Sequence, residues 1–148
     1  MEGGDKMIDI SDKKVVKRIA RAMGEIELKR ETIKKIKEKK VKKGDVLIVA
    51  RVAGINAVKN TPLLIPMCHQ IPVTYVDISF EIKDSSIISI CEVKAYYRTG
   101  VEMEALTGVT VTLLTVWDMV KYSEKDERGQ YPETRIKNIH VIEKIRED

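Results

Sequence analysis

Aromatic side chains are scarce in this 148-residue chain, which has one tryptophan, one phenylalanine and five tyrosines. Aliphatic residues must therefore fill whatever core it forms. Cysteine is scarcer still: Cys68 and Cys91 stand 23 positions apart with no CxxC spacing. That speaks against a disulfide framework or a zinc cluster and fits a reducing cytoplasm. No apolar run approaches the length of a membrane span, and no apolar h-region follows the charged N-terminus. The expectation is a soluble, cytoplasmic protein. No internal repeat, low-complexity linker or charge block divides the sequence. Residues 1–6 read as a flexible leader and residues 7–148 as a single domain.

What is present reads as globular. Hydrophobic residues make up 43% of the chain and charged residues 34%, a balance that disordered chains lack. The net charge of +4 and a pI near 9.0 suggest an anionic ligand. So small a surplus does not tell nucleic acid from a small phosphate.

Patterning supplies the elements. The apolar positions from Val15 to Leu28 fit a helix or a strand equally well. Glu31 to Lys40 reads as a short helix, and Lys43-Gly44-Asp45 as a break ending in an N-cap. From Val46 to Lys59 the small residues Ala50, Ala53, Gly54 and Ala57 line one helical face, which predicts close packing. Thr61 to Pro72 reads as a loop stiffened by three of the four prolines. Tyr75 to Lys83 alternates, with Val76, Ile78, Phe80 and Ile82 inward, and forms a hairpin with Ile87 to Tyr96. Val101 to Lys121 is the longest helix, and Arg135 to Ile142 a final strand. The order βααββαβ predicts an α+β fold: a ferredoxin-like antiparallel sheet with helices on one face.

A few residues carry chemical potential. Lys43 stands just before the helix opened by Asp45, where free amides and a cation make an anion site. The other lysines between 34 and 43 read as a solvated face. His69 lies in the prolyl loop, which fixes where its imidazole points, whereas His140 has no such context. Thr99 and Glu102 have capping-box spacing, and Glu104 sits in the same first turn. Asp118 and Lys121 stand at i, i+3, acid beside base, a pair suited to proton transfer.

Four longer segments carry a resemblance. Lys43-Gly44-Asp45-Val46-Leu47 with Ala50-Arg51-Val52-Ala53-Gly54-Ile55 resembles a KGDV…ARxAGI signature. Leu64 to His69 resembles LIPxCH, Thr99 to Thr107 resembles TGVEMEALT, and Leu114 to Lys121 resembles LTxxDMxK. Met7 to Ser11 is similar to an MVDVS opening. Together they resemble the cyclic pyranopterin monophosphate synthase (MoaC) family from Met7 to about Lys144. The resemblance implies a lyase of molybdenum cofactor biosynthesis. Such an enzyme takes the cyclised dihydro-GTP made by a radical SAM enzyme, builds a pterin with a cyclic phosphate and releases pyrophosphate. It implies a ferredoxin-like homohexamer, a trimer of dimers, with no cofactor and no metal. Asp118, Lys121 and Lys43 would be catalytic, while Met67, Cys68, His69, Glu102, Met103 and Glu104 would hold substrate. Three departures stand out. Arg98 occupies a usual lysine position, Gln70 a usual proline, and Ile145-Arg146-Glu147-Asp148 follows Lys144 where the family has KSGGKSG.

Two rivals are weighed against this. A nucleic-acid module on a ferredoxin-like sheet would stack bases on strand aromatics, but Tyr75 and Phe80 fall on opposite faces. A metal protein would use Cys68, His69 and Cys91, with no fourth ligand in view. Helix arithmetic adds one expectation. Glu104 and Asp118 share a helix face at fourteen residues' separation, about 21 Å along the axis, which points to sites completed across a dimer interface.

Overall fold

The computed structural model describes residues 4–148, so the expected leader lies partly outside the described residues. Strands β1 (Val16–Glu27), β2 (Val73–Ile82), β3 (Ser86–Tyr97) and β4 (Arg135–Glu147) form one sheet. Helices α1 (Arg30–Lys37), α2 (Val46–Lys59), α3 (Thr61–Leu64) and α4 (Glu102–Glu124) complete the chain. The sheet order is β2-β3-β1-β4 and every neighbouring pair is antiparallel. Each helical crossover skips one strand, which is the split βαβ arrangement of ferredoxin-like α+β folds.

The ambiguous first segment is a strand. Ala20, Ala22 and Ile26 alternate inward and are fully buried, while hydrogen-bonded neighbours on both sides satisfy the backbone of β1. A helix would have left no central strand between β3 and β4. Small residues recur where α4 passes over the sheet and α2. A side chain at Gly54 would collide with Thr112 and Ile78, and one at Gly108 would put its Cβ 2.7 Å from Cys91 Sγ. These positions set how closely the two helices approach each other and the sheet.

The core is aliphatic, as the shortage of aromatics requires: Ile26, Ile33, Ile87, Val93, Val109, Leu113 and Val116 are central to it. Truncating one such residue, Leu113→Ala for instance, costs about 2–5 kcal/mol. Ile78 is buried in β2, with Val76, Phe80 and Ile82 packed partly against the core. By length and composition alone α4 is apolar enough to cross a membrane, but half of that stretch is buried inside the fold. It is the core helix.

Three expectations need correction. The loop from Thr61 to Pro72 begins with the one-turn helix α3, which has proline in its first turn. The last strand runs to Glu147, five residues beyond Ile142, because β4 continues to pair with β1 as far as Lys17. Its charged tail hid this: an edge strand is free to carry charge on its solvent side. Thr99 does not cap α4. The N-cap is Val101, without a side-chain bond, and Glu102 turns toward β4.

Candidate active site

Two clusters form at opposite ends of α4. At the C-terminal end, Lys43 Nζ lies 3.2 Å from Asp118 Oδ2 and 3.2 Å from the Asp118 carbonyl oxygen. Lys121 Nζ lies 3.3 Å from Asp118 Oδ1. Lys43 is brought there by the turn before α2. Val41 is buried, the Lys42 amide donates to Tyr122 Oη at 3.0 Å, and Gly44 adopts φ 120°, a conformation that favours glycine. The Lys43 ammonium, and after it Lys121, hold the Asp118 carboxyl below the usual carboxylate range. Asp118 is therefore an anion at neutral pH, flanked by two exposed ammonium groups. This arrangement can bind an anion, and it can relay a proton through a lysine.

The anion site expected at the start of α2 is not built as read. Asp45 caps that helix, accepting from the Ile48 amide at 3.2 Å, and Lys43 reaches α4 instead. The remaining lysines of the run behave as a solvated face: Thr32, Ile33 and Ile36 are the buried residues of α1.

At the N-terminal end, Glu104 is 2% exposed. One of its oxygens, Oε2, faces Cys68 Sγ at 3.8 Å, and Oε1 has no partner. Burial pushes the Glu104 carboxyl above its ordinary range, and burial followed by Glu104 does the same to the Cys68 thiol. Glu102 folds back over Gly100, where any side chain would collide with its carboxyl group. Its Oε2 pairs with Lys144 Nζ at 3.0 Å, leaving Oε1 buried without a partner. Cys68, His69, Ile71, Thr99, Gly100, Glu102 and Met103 line a cleft of about 160 Å³. Beside it is a hollow of about 430 Å³, with Glu104 on its wall among Val58, Pro62, Ile71 and Val73. Met67 is half exposed and lies outside both linings.

Another hollow, about 460 Å³, lies elsewhere, between Glu25, Glu27, Arg135 and Lys137. Glu27 is already paired there with Arg135 and Lys137. The acids at the N-terminal end of α4, by contrast, keep unpartnered oxygens on Glu102 and Glu104. His140 lies on exposed β4 and bonds through Nδ1 to the Asn138 carbonyl. Cys91 is buried on β3 against Gly108, while Cys68 sits beside Glu104.

The fold thus gathers Lys43, Asp118 and Lys121 in one place, and Cys68, His69, Glu102, Met103 and Glu104 in another. It does not bring the two sets together. Sequence reading missed two contributors. Lys144 meets Glu102 only because β4 is longer than its pattern indicated. Ile8 contributes a backbone carbonyl, 2.7 Å from His69 Nε2, and backbone groups leave no side-chain signature.

A ferredoxin-like sheet under a core helix with a buried glutamate at one end and a lysine-flanked aspartate at the other defines a small α+β protein whose groups could bind an anion and move a proton. Comparison with known proteins makes this specific. The model of the MoaC family matches residues 7–146. A protein of Pyrococcus horikoshii is 62% identical over 145 residues, covering 98% of this chain and 91% of its own length. One of Methanococcoides burtonii is 60% identical over 141 residues, covering 95% and 89%. One of Sulfurisphaera tokodaii is 58% identical over 141 residues, covering 95% and 93%. All three are named probable cyclic pyranopterin monophosphate synthases. The chain belongs to the MoaC family.

Proposed function

We propose that this chain is a cyclic pyranopterin monophosphate synthase acting in molybdenum cofactor biosynthesis. It converts the cyclised dihydro-GTP into cyclic pyranopterin monophosphate and releases pyrophosphate. Family membership over residues 7–146 supports the reaction, and the Lys43–Asp118–Lys121 cluster is the observation that carries its chemistry. The cyclic phosphate forms when a sugar-derived hydroxyl oxygen attacks the α-phosphorus and the bond to pyrophosphate breaks. The hydroxyl proton must leave, and the departing pyrophosphate gathers negative charge. A lysine beside an ionised aspartate serves the first need; two ammonium groups held by fixed geometry serve the second.

The other cluster holds the ring system. Glu104, buried with a free oxygen, suits the amino and ring N–H groups of a guanine-derived base. Cys68, His69, Met67, Glu102 and Met103 complete its surroundings. Residues 7–148 act as a single catalytic domain, and a radical SAM enzyme supplies the substrate. The protein works in the cytoplasm, with neither membrane nor nucleic acid as partner.

The site is completed across a dimer within a trimer of dimers. Two observations support this. The two clusters lie about 21 Å apart along α4, too far for one small substrate to reach both within a single chain. Ile48 and Val52 on α2 and Leu114 on α4 are each more than half exposed, an apolar surface suited to a second copy. The test of the activity is direct: purified protein with the cyclised dihydro-GTP should yield pyrophosphate and a pterin that fluoresces after oxidation. A folded preparation that yields neither product overturns the proposal.

A further inference from the structure

His69 is clamped from two directions. On its own side the loop is fixed by the Cys68 amide donating to the Ile65 carbonyl at 3.1 Å and the Ile65 amide to the Thr61 carbonyl at 3.0 Å. From the other side comes a segment 61 positions earlier, whose Ile8 carbonyl oxygen lies 2.7 Å from His69 Nε2. A carbonyl only accepts, so Nε2 carries the hydrogen. In the neutral ring Nδ1 then has a free lone pair and no proton.

The clamp is itself a built structure. Asp9 Oδ1 accepts from the Ser11 amide at 2.9 Å and from the Ser11 hydroxyl. Two residues on, the Lys13 amide donates to the Ile10 carbonyl at 3.1 Å. This is an Asx turn followed by a backbone turn. Burial does not explain why the segment lies here, because Ile8 is 74% exposed. Polar geometry does: the turn aims one carbonyl at one imidazole. His69 also lines the cleft with Thr99, Gly100, Glu102 and Met103. With Nε2 already engaged by the chain, Nδ1 is the ring atom left for a ligand.

We infer that Ile8–Ser11 is a positioning strap that fixes His69 in its Nε2–H tautomer and so presents Nδ1 as a hydrogen-bond acceptor to the substrate. Asp9 is a positioning residue that acts through the Ile8 carbonyl. The complementary ligand group is a donor: a hydroxyl, a ring N–H or an exocyclic amine. The inference rests on the reading that His69 faces substrate, and its test keeps the two apart.

The tautomer is read by long-range proton–nitrogen NMR on the ¹⁵N-labelled full chain, at a pH where both rings are neutral. His140 supplies an internal contrast, because its Nδ1 lies 2.7 Å from the Asn138 carbonyl and must carry the hydrogen there. His69 should appear as Nε2–H and His140 as Nδ1–H, with His69→Gln identifying which signals are which. Asp9→Ala should turn His69 into a mixture of tautomers and leave His140 unchanged. Asp9→Asn keeps an acceptor oxygen and should restore the single form. KM should rise about fivefold in Asp9→Ala, the size of one ordinary hydrogen bond, with kcat changed less. A wild-type His69 found as Nδ1–H, or a ring indifferent to Asp9→Ala, overturns the strap. If the tautomers come out as stated but His69→Ala keeps full activity, the strap stands, while the reading that His69 faces substrate falls.

Discussion

Glu124 is a carboxylate shut off from solvent in the last turn of α4. Its oxygens accept from the Lys29 amide at 3.1 and 3.3 Å and from the Thr134 hydroxyl at 2.7 Å. Lys29 is the N-cap of α1 and makes no side-chain cap bond of its own. The Glu124 carboxyl therefore accepts from a free amide at the start of α1, where the dipole of that helix favours an acidic group, although it stands at the opposing C-terminal end of α4. Thr134 leads into β4. One side chain ties the end of the core helix to the start of α1 and to the last strand. Glu124→Ala strips two donors of their acceptor. Hydrogen bonds to charged groups are worth about 1.5–3 kcal/mol each, so the loss of two should be about 3–6 kcal/mol. At about 2–4 °C per kcal/mol for a chain of this size, Tm should fall on the order of 10 °C.

Partial variants sharpen the test. Glu124→Gln keeps one acceptor oxygen and should lose about half as much, since its NH₂ meets a donor. Thr134→Val removes one of the two donors. The double variant Glu124→Ala/Thr134→Val should cost less than the sum of the single ones, because both singles break the same bond. Urea denaturation of all four proteins gives the cycle. A loss below about 1 kcal/mol in Glu124→Ala, the range of ordinary surface changes, refutes the anchor. So does strict additivity in the cycle.

Lys121→Ala should cut turnover about a hundredfold or more, the contribution of a general acid or base, while circular dichroism stays native; near-normal turnover removes Lys121 from the chemistry. Glu104→Gln should change how stability depends on pH. The folded Glu104 carboxyl lies above its ordinary range because it is buried, so as pH rises through the carboxylate region the unfolded chain releases its proton first. That lowers wild-type stability toward neutral pH. The variant lacks this loss, so its stability relative to wild type should improve from acid to neutral pH; a difference constant across that range shows that Glu104 titrates normally.

Most of the fold was legible because its apolar pattern is strict. Ile78 and its neighbours alternate cleanly along β2, and the small residues at Ala50, Gly54 and Ala57 announced a close helix crossing. The lapses share one cause, which is that tertiary partners decided them. β1 is a strand because β3 and β4 flank it, and its apolar positions fit a helix equally well. The end of β4 is a strand because β1 lies beside it, although Glu143, Lys144, Arg146 and Glu147 look like a loop. Thr99 and Glu102 had capping spacing, yet Lys144 drew Glu102 away. The site was legible as two sets of side chains. Neither the Lys144 contact nor the Ile8 carbonyl could be read, since one depends on strand register and the other has no side chain.

The separation between those two sets carries the last prediction. Glu104 and Asp118 are fourteen residues apart on α4, which puts them on nearly the same face and about 21 Å apart along the axis. Among the described residues no contact bridges them, and a small substrate does not span that distance. In the proposed two-fold dimer, Glu104 of one protomer would meet Asp118 of its partner, and the operator would repeat the site. The test mixes two inactive variants, Glu104→Gln and Asp118→Asn, after unfolding and refolding them together. Random pairing makes about half the dimers hybrids, and each hybrid holds one site with both native residues, so about a quarter of wild-type activity should return. Hybrid formation is checked with a charge-tagged copy resolved by ion exchange. If hybrids are present and the mixture stays inactive, each site is built within one chain and the shared-site model is wrong.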